Sequence, residues 1–325
     1  MLELLLLLLG GVLLYFGAEW LVAGASSLAL SLRISPLVVG LTVVAYGTSA
    51  PEAVVGIQAA RMHHAPIALG NVIGSNIANL GLILSLSVLV RPASVSGILR
   101  TREVPVLLLT ALGLPLLLLD GSVSRVEAIL LLCMAVAYTA WMVQGARRSA
   151  LQPGQAVVMT EVNADAAGTP VRAVHAGRSI AIAVVGLVLL IFGGQLFVYA
   201  ATAMARNWGI SERLIGLTLV AIGTSLPELA TSLLASSKGH TEIAVGNVVG
   251  SNIFNVLLCL PASALAGPVG SPLSTLLPDL LVLAGVTLVG CLFLRSERRI
   301  TRGEGGVLLL IYAGFLAFVL TSQRI

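Results

Sequence analysis

One stretch of this sequence occurs twice. Residues 40–52 read GLTVVAYGTSAPE and residues 216–228 read GLTLVAIGTSLPE, ten identities in thirteen positions. Residues 70–79, GNVIGSNIAN, return at 246–255 as GNVVGSNIFN. The offset is 176 residues in both blocks (216 − 40 and 246 − 70), so Thr48 falls on Thr224, Glu52 on Glu228, Ser75 on Ser251 and Asn79 on Asn255 without a gap. A repeat of this period means two copies of one structural unit. Polar, carboxylate-bearing segments doubled inside an apolar chain mark a transporter whose ion site lies between the copies.

The surroundings of these blocks set the solvent. The chain is 58% hydrophobic and 10% charged, with mean hydropathy +1.04, whereas charged residues make up about a quarter of a soluble domain. Apolar runs near the roughly 20 residues that a spanning helix needs recur at 4–29, 36–60, 67–90, 103–119, 125–143, 179–204, 211–236, 241–265, 275–294 and 303–321. The reading is an all-α integral membrane protein of about ten spans, five per copy. Five is odd, so the second copy enters the bilayer from the opposite side, and the repeats are expected to be inverted. This divides the chain into a first repeat (1–143), a linker (144–178) and a second repeat (179–325).

Short cytoplasmic loops retain Lys and Arg. Loops after the odd spans of the first half and the even spans of the second hold thirteen of the 18 basic residues, while Arg61, Arg125, Arg206, Arg213 and Arg324 lie on the other side. Both termini are therefore expected outside, and the linker in the cytoplasm. The first segment, MLELLLLLLGG, has no basic residue before Arg33 and reads as a retained helix rather than a signal peptide. The net charge of +4 comes mainly from these orienting arginines and gives no support to nucleic-acid binding. Nothing marks an obligate protein partner or a cofactor. Cys133, Cys259 and Cys291 fall in apolar runs at no metal-ligand spacing and read as packing residues. His63, His64, His175 and His240 fall in loops. The linker has no alternating Asp/Asn calcium-loop pattern, and its 35 residues (144–178) are too few for a domain with its own core.

The doubled blocks carry helix-breaking signals. Gly47 suits a helix end, Ser49 with Glu52 three residues on spells a capping box, and Pro51 suits a first turn. Span 36–60, like span 211–236 with Gly223, Ser225, Pro227 and Glu228, is expected to be two half-helices. A break inside hydrocarbon is tolerated only against protein or a watery cavity, and such breaks hold cations with freed carbonyls and side-chain oxygens. Thr48 and Glu52 are four residues apart, as are Ser75 and Asn79, so each pair shares a helix face; Thr224 with Glu228 and Ser251 with Asn255 repeat the arrangement. All are oxygen donors, which suit hard cations such as calcium with its 6–8 oxygens, and no His or Cys accompanies them to favour zinc or copper. A mid-membrane carboxylate costs about 2.5–3.5 kcal/mol even on insertion scales. Two at matched positions are hard to explain as caps alone. Gly70 with Gly74 and Gly246 with Gly250 have the spacing of helix packing. Glu19 is a third acid within a span; its repeat position is Gln195, and it either holds the first helix to its neighbours or lines an entry path. Glu103 and Asp279, near span ends, read as interfacial.

At these residues the chain resembles the cation/calcium exchanger superfamily, and more closely its prokaryotic sodium/calcium antiporters. The resemblance covers nearly the whole chain and rests on two blocks of the form G-T-S-x-P-E followed by G-N-x-x-G-S-N-x-x-N. It implies ligands at Thr48, Ser49, Glu52, Ser75 and Asn79, and at Thr224, Ser225, Glu228, Ser251 and Asn255, with backbone carbonyls at Ala45 and Ala221. The position of Asn255 is Asp in some members, leaving two ionisable ligands here. The proton-coupled branch carries Glu where this chain has Gly74 and Gly250, which favours sodium as the coupling ion. The expected function is calcium efflux against sodium entry across the inner (cytoplasmic) membrane by alternating access, with no enzymatic activity. Calcium/proton antiport on the same scaffold and a passive cation channel are the alternatives.

Overall fold

A computed structural model of the chain describes residues 2–150, 176–208, 223–296 and 299–322. It is all-helical apart from one two-residue strand pair. In chain order the helices are α1 (Leu2–Leu32), α2 (Pro36–Arg61), α3 (Ala65–Val90), α4 (Val104–Leu117), α5 (Arg125–Ala150), α6 (Ala176–Asn207), α7 (Leu226–Ser237), α8 (Thr241–Ala266), α9 (Leu273–Ser296) and α10 (Arg302–Ser322). Among the described residues eight are long and apolar enough to cross a membrane. The two others are α4, with 14 residues, and α7, which covers the second half of the expected seventh span. The first half of that span lies outside the described residues, as does most of the expected linker; α5 and α6 run into the linker from either end.

Which helices are central follows from the distribution of apolar residues. A helix apolar all round is buried all round. Nearly every residue of Thr241–Phe254 in α8 is buried, and α3 is largely so, whereas α1, α5, α6 and α10 turn rows of Leu, Val and Phe outward. The main core gathers α2, α3, α4, α5, α8, α9 and α10. A smaller cluster joins α1 and α6 to α7.

α1 and α6 lie antiparallel along most of their length. Gly10, Gly17 and Gly24, seven residues apart, face Gly193, Gly186 and Ala183. A Cβ on Gly186 would stand 2.4 Å from Leu21 N, and one on Gly17 would stand 2.6 Å from Leu190 N. Backbone therefore packs on backbone, the contact that holds helices together where lipid removes the hydrophobic drive.

α2, which carries the first G-T-S-x-P-E, bends at the serine. In α2 a π-helical turn (Gly40–Val44) precedes Ala45–Thr48, and a new helix starts at Ala50 after Ser49 with φ −83°, ψ 4°. Ser225 has nearly the same backbone (φ −89°, ψ 7°) before α7. The break in α2 is a one-residue kink rather than an open gap, since Ser49 N still bonds Ala45 O and Ala53 N bonds Ser49 O. The capping box does not form: neither Ser49 nor Ser225 caps its helix through its side chain. Further π-helical turns begin at Asn79 (Asn79–Leu84) and Asn255 (Asn255–Cys259), and such turns gather at functional sites.

Two loop pairings tie the halves at opposite ends. Strands β1 (Ala93–Ser94) and β2 (Arg299–Ile300) pair antiparallel, and Ser122 bridges Gly270. Beside the strands, Arg302 donates to the carbonyls of Leu89 (3.0 Å) and Val90 (3.3 Å), a cation where the α3 dipole is negative.

Candidate ion site

The kinks of α2 and of the Ser225 segment face each other across α3 and α8. Ser49 Oγ donates to Glu228 Oε1 at 3.0 Å, and Ser225 Oγ donates to Glu52 Oε1 at 3.1 Å. The two bonds are copies of one another at the 176-residue offset, so each copy's serine holds the other's carboxylate. This is where the serine hydroxyls freed from capping go. Both carboxyl groups are buried, at 1% and 0% exposure.

What the remaining oxygens do not bond to defines the site. Glu52 Oε2, Ser75 Oγ and Asn79 Oδ1 are buried without a hydrogen-bond partner, and so are Glu228 Oε2, Ser251 Oγ and Asn255 Oδ1. Other buried polar atoms lack partners, but among the described residues only these three pairs match at the 176-residue offset. Leaving one such group unpaired costs about 1–3 kcal/mol. Six at matched positions, one oxygen from each carboxylate and four from hydroxyl and amide groups, are of the donor types that suit a hard cation. Asn255 is further oriented, because its Nδ2 donates to Asn76 Oδ1 at 3.0 Å and its Oδ1 is left over. Asn76 Nδ2 in turn donates to Asn252 O at 3.2 Å.

Hydrogen bonds join Ser49 to Glu228 and Ser225 to Glu52; of the other expected ligands, Thr48, Ser75, Asn79, Ser251 and Asn255 are buried, and Thr224 lines the cavity described below. Ala45 heads the helical turn that ends at Thr48. Ala221 lies outside the described residues. Gly246 and Gly250 pack as expected: a Cβ on either would meet a backbone oxygen of α2 at 2.7 Å, Leu37 O for the first and Leu41 O for the second. A Cβ on Gly70 or Gly74 would meet nothing within 4 Å among the described residues, so the expected packing is not seen for this pair. Cys259, read as packing, is buried with its Sγ 3.6 Å from Ser49 O.

Two residues beside the site were not expected from the sequence. Asn71 Nδ2 donates to the Glu52 carbonyl at 3.0 Å, and Asn247 Nδ2 donates to the Glu228 carbonyl at 3.4 Å. Both are the Asn of the G-N pair, repeated at the common offset; that recurrence was the signal available. Glu103 is also not interfacial. It is buried and accepts a hydrogen bond from the Tyr138 hydroxyl, and Tyr138 packs on Phe254, the neighbour of Asn255.

A cavity of about 680 Å³ reaches the site from one side, passing Ala50 and Pro51 of α2, Gly194, Gln195 and Tyr199 of α6, and Gly223, Thr224 and Pro227. Glu3, Arg206 and Asn207 stand at its rim, so it opens where α1 begins and α6 ends. α1 packs along α7, with Leu226, Ala230 and Leu234 in the apolar cluster they share.

The chain matches the family model described as sodium/calcium exchanger protein over residues 2–144 and 178–321. It is 36% identical over 317 residues to inner membrane protein YrbG of Escherichia coli, covering 97% of this chain and 94% of that one. It is 32% identical over 344 residues to sodium/calcium exchanger MaX1 of Methanosarcina acetivorans, covering 96% and 97%. Among solved structures, the sodium-calcium exchanger NCX_Mj soaked with 2.5 mM Na+ and 0.1 mM Ca2+ superposes with TM-score 0.82 at 32% identity, covering 98% of each chain.

Proposed function

This chain belongs to the sodium/calcium exchanger protein family, and we propose that it expels calcium against sodium entry by alternating access. The observation that carries this reading is the set of six buried, unpartnered oxygens matched in pairs, two of them from the carboxylates Glu52 and Glu228. Glu52 and Glu228 balance one divalent charge. The ligand set we assign is Thr48, Ser49, Glu52, Ser75 and Asn79 with Thr224, Ser225, Glu228, Ser251 and Asn255, together with the carbonyls of Ala45 and Ala221. Calcium and sodium take turns in this one cage. When it is empty and charged, two uncompensated carboxylates oppose its passage through low dielectric, which prevents leak.

The scaffold in this reading is a pair of inverted five-helix repeats, 1–143 and 179–325, joined by a cytoplasmic linker at 144–178. Both termini lie outside, and the membrane is the inner (cytoplasmic) one, as the name of the relative YrbG suggests. The cavity then opens outward. The glycine seam makes α1 and α6 one unit that slides over the kinked helices and exposes the cage to the other side.

The test is radioactive calcium uptake into sodium-loaded liposomes holding the purified protein and diluted into sodium-free buffer. Uptake should require the sodium gradient and fall to the level of empty liposomes with Glu228→Gln, which keeps the Ser49 acceptor and removes the charge. Uptake driven by a pH gradient alone would instead establish calcium/proton antiport, and flux with no counter-ion requirement would establish a channel.

A further inference from the structure

We propose that Asn247 and Asn71 are positioning residues that turn the hydroxyls of Thr48 and Thr224 so that their lone pairs face the cation. This rests on the cage described above and adds to it two residues that do not touch the ion.

The network of bonds assigns the orientation. A backbone carbonyl can only accept, so the end of Asn247 that meets Glu228 O must be its Nδ2, which also lies 3.0 Å from Ser232 Oγ. Its Oδ1 is then the atom 3.0 Å from Thr48 Oγ1. An amide oxygen only accepts, so Thr48 must donate. A hydroxyl has one proton. Ala45 O also lies within reach, at 3.5 Å, and the Glu228 carboxylate is nearby; the 3.0 Å contact to Asn247 draws the proton away from both and leaves the Thr48 lone pairs for the cage.

The same device occurs in the other copy and crosses between the copies in the same way. Asn71 Nδ2 donates to Glu52 O at 3.0 Å, and its Oδ1 lies 3.5 Å from Thr224 Oγ1. Each asparagine thus ties its own copy's glutamate backbone to the other copy's threonine. The two differ in tightness. Asn247 is fully buried and anchored by Ser232, whereas Asn71 is partly buried and Thr224 lines the cavity. The repeat position of Ser232 is Gly56 (232 − 176), where a Cβ would come within 2.3 Å of Ser263 Oγ, so no second anchor fits. Thr48 is therefore set in advance, and Thr224 is the looser partner on the open side.

A double-mutant cycle on the full-length protein tests this, read as equilibrium binding of calcium-45 in detergent with sodium as competitor. Loss of a residue that orients a ligand costs about ten- to a hundred-fold in metal affinity, so Asn247→Ala should weaken calcium binding by that factor. Thr48→Val should weaken it comparably. In the Thr48→Val background Asn247→Ala should add less than about two-fold, because residues acting as a unit are not additive. The pair Asn71→Ala and Thr224→Val should show the same non-additivity with a smaller loss, and it serves if Asn247→Ala does not fold. Additive losses in both cycles, or unchanged affinity in both asparagine variants, would overturn the positioning role while wild-type binding upholds the proposed function. Wild-type protein that binds neither calcium nor sodium would overturn both.

Discussion

Lys238 Nζ lies 2.6 Å from Glu19 Oε1, tying the turn between α7 and α8 to α1. Nearby His240 adds no charge at neutral pH, since burial, with Lys238 contributing, pushes its pKa down. At the 176-residue offset the pair would be Gln195 and Met62, which cannot form a salt bridge; Gln195 lines the open cavity instead. In the proposed alternating-access cycle this tie parts when the face around α7 opens. About a third of each side chain is exposed, so the pair is worth at most about 1 kcal/mol. Glu19→Gln should slow thiol labelling of a cysteine at Val54, on the cavity wall, by about two- to five-fold and speed it at Ala230. The charge swap Glu19→Lys with Lys238→Glu should restore both rates. Unchanged rates in the single variants would show that the pair does not hold the face around α7.

The glycine seam predicts a steric failure. Gly186→Val would drive a branched side chain into the backbone at Leu21, already 2.4 Å from a bare Cβ. Overpacking costs about 1–3 kcal/mol, and here the backbone must yield. The melting temperature in detergent should fall and exchange should drop. Gly11→Ala on the same helix, with nothing within 4 Å of the added Cβ, is the matched control and should change neither.

Tyr138→Phe removes the hydroxyl that donates to Glu103 and leaves that buried carboxyl without its one described partner. The cost of an orphaned buried acceptor is about 1–3 kcal/mol, more if it is charged, and should appear as a lower melting temperature. Replacing both, as Tyr138→Phe with Glu103→Leu, should recover part of the loss. A double variant no more stable than the single one would place the effect in packing around Phe254 instead.

Ser94, in strand β1, and Ser122, in the bridged loop, are both exposed. Single cysteines at these positions should be labelled from opposite faces of a sealed membrane, Ser94→Cys from the cytoplasm and Ser122→Cys from outside. Labelling of both from one face would sink the proposed topology.

The large features of the fold were legible because they depend on composition and period. The apolar runs, the 176-residue offset and the oxygen-bearing pairs four residues apart can all be read without coordinates. The serines could not be read fully. Ser49 with Glu52 has the spacing of a capping box, but a cap satisfies only its own helix, whereas the structure pairs each serine with the carboxylate of the other copy. Relations between copies have no spacing in sequence. The same limit hid the Thr48–Asn247 bond and left open whether Glu19 held a neighbour or lined a path. Glu103 looked interfacial from its place near the end of a run; its burial comes from α5, which brings Tyr138 over it. The first half of the seventh span, with Ala221, lies outside the described residues and adds nothing either way.

The π-helical turns also set direction. A π turn is a helix with one residue more than its neighbours along the same rise. It costs hydrogen-bond geometry, and so it is lost unless something needs it. In this chain such turns begin at Asn79 and at Asn255, the same position of the two copies. Widening the helix at that point turns the residues after each asparagine out of the register they would hold in a plain α-helix, so both blocks leave the site along a shifted face.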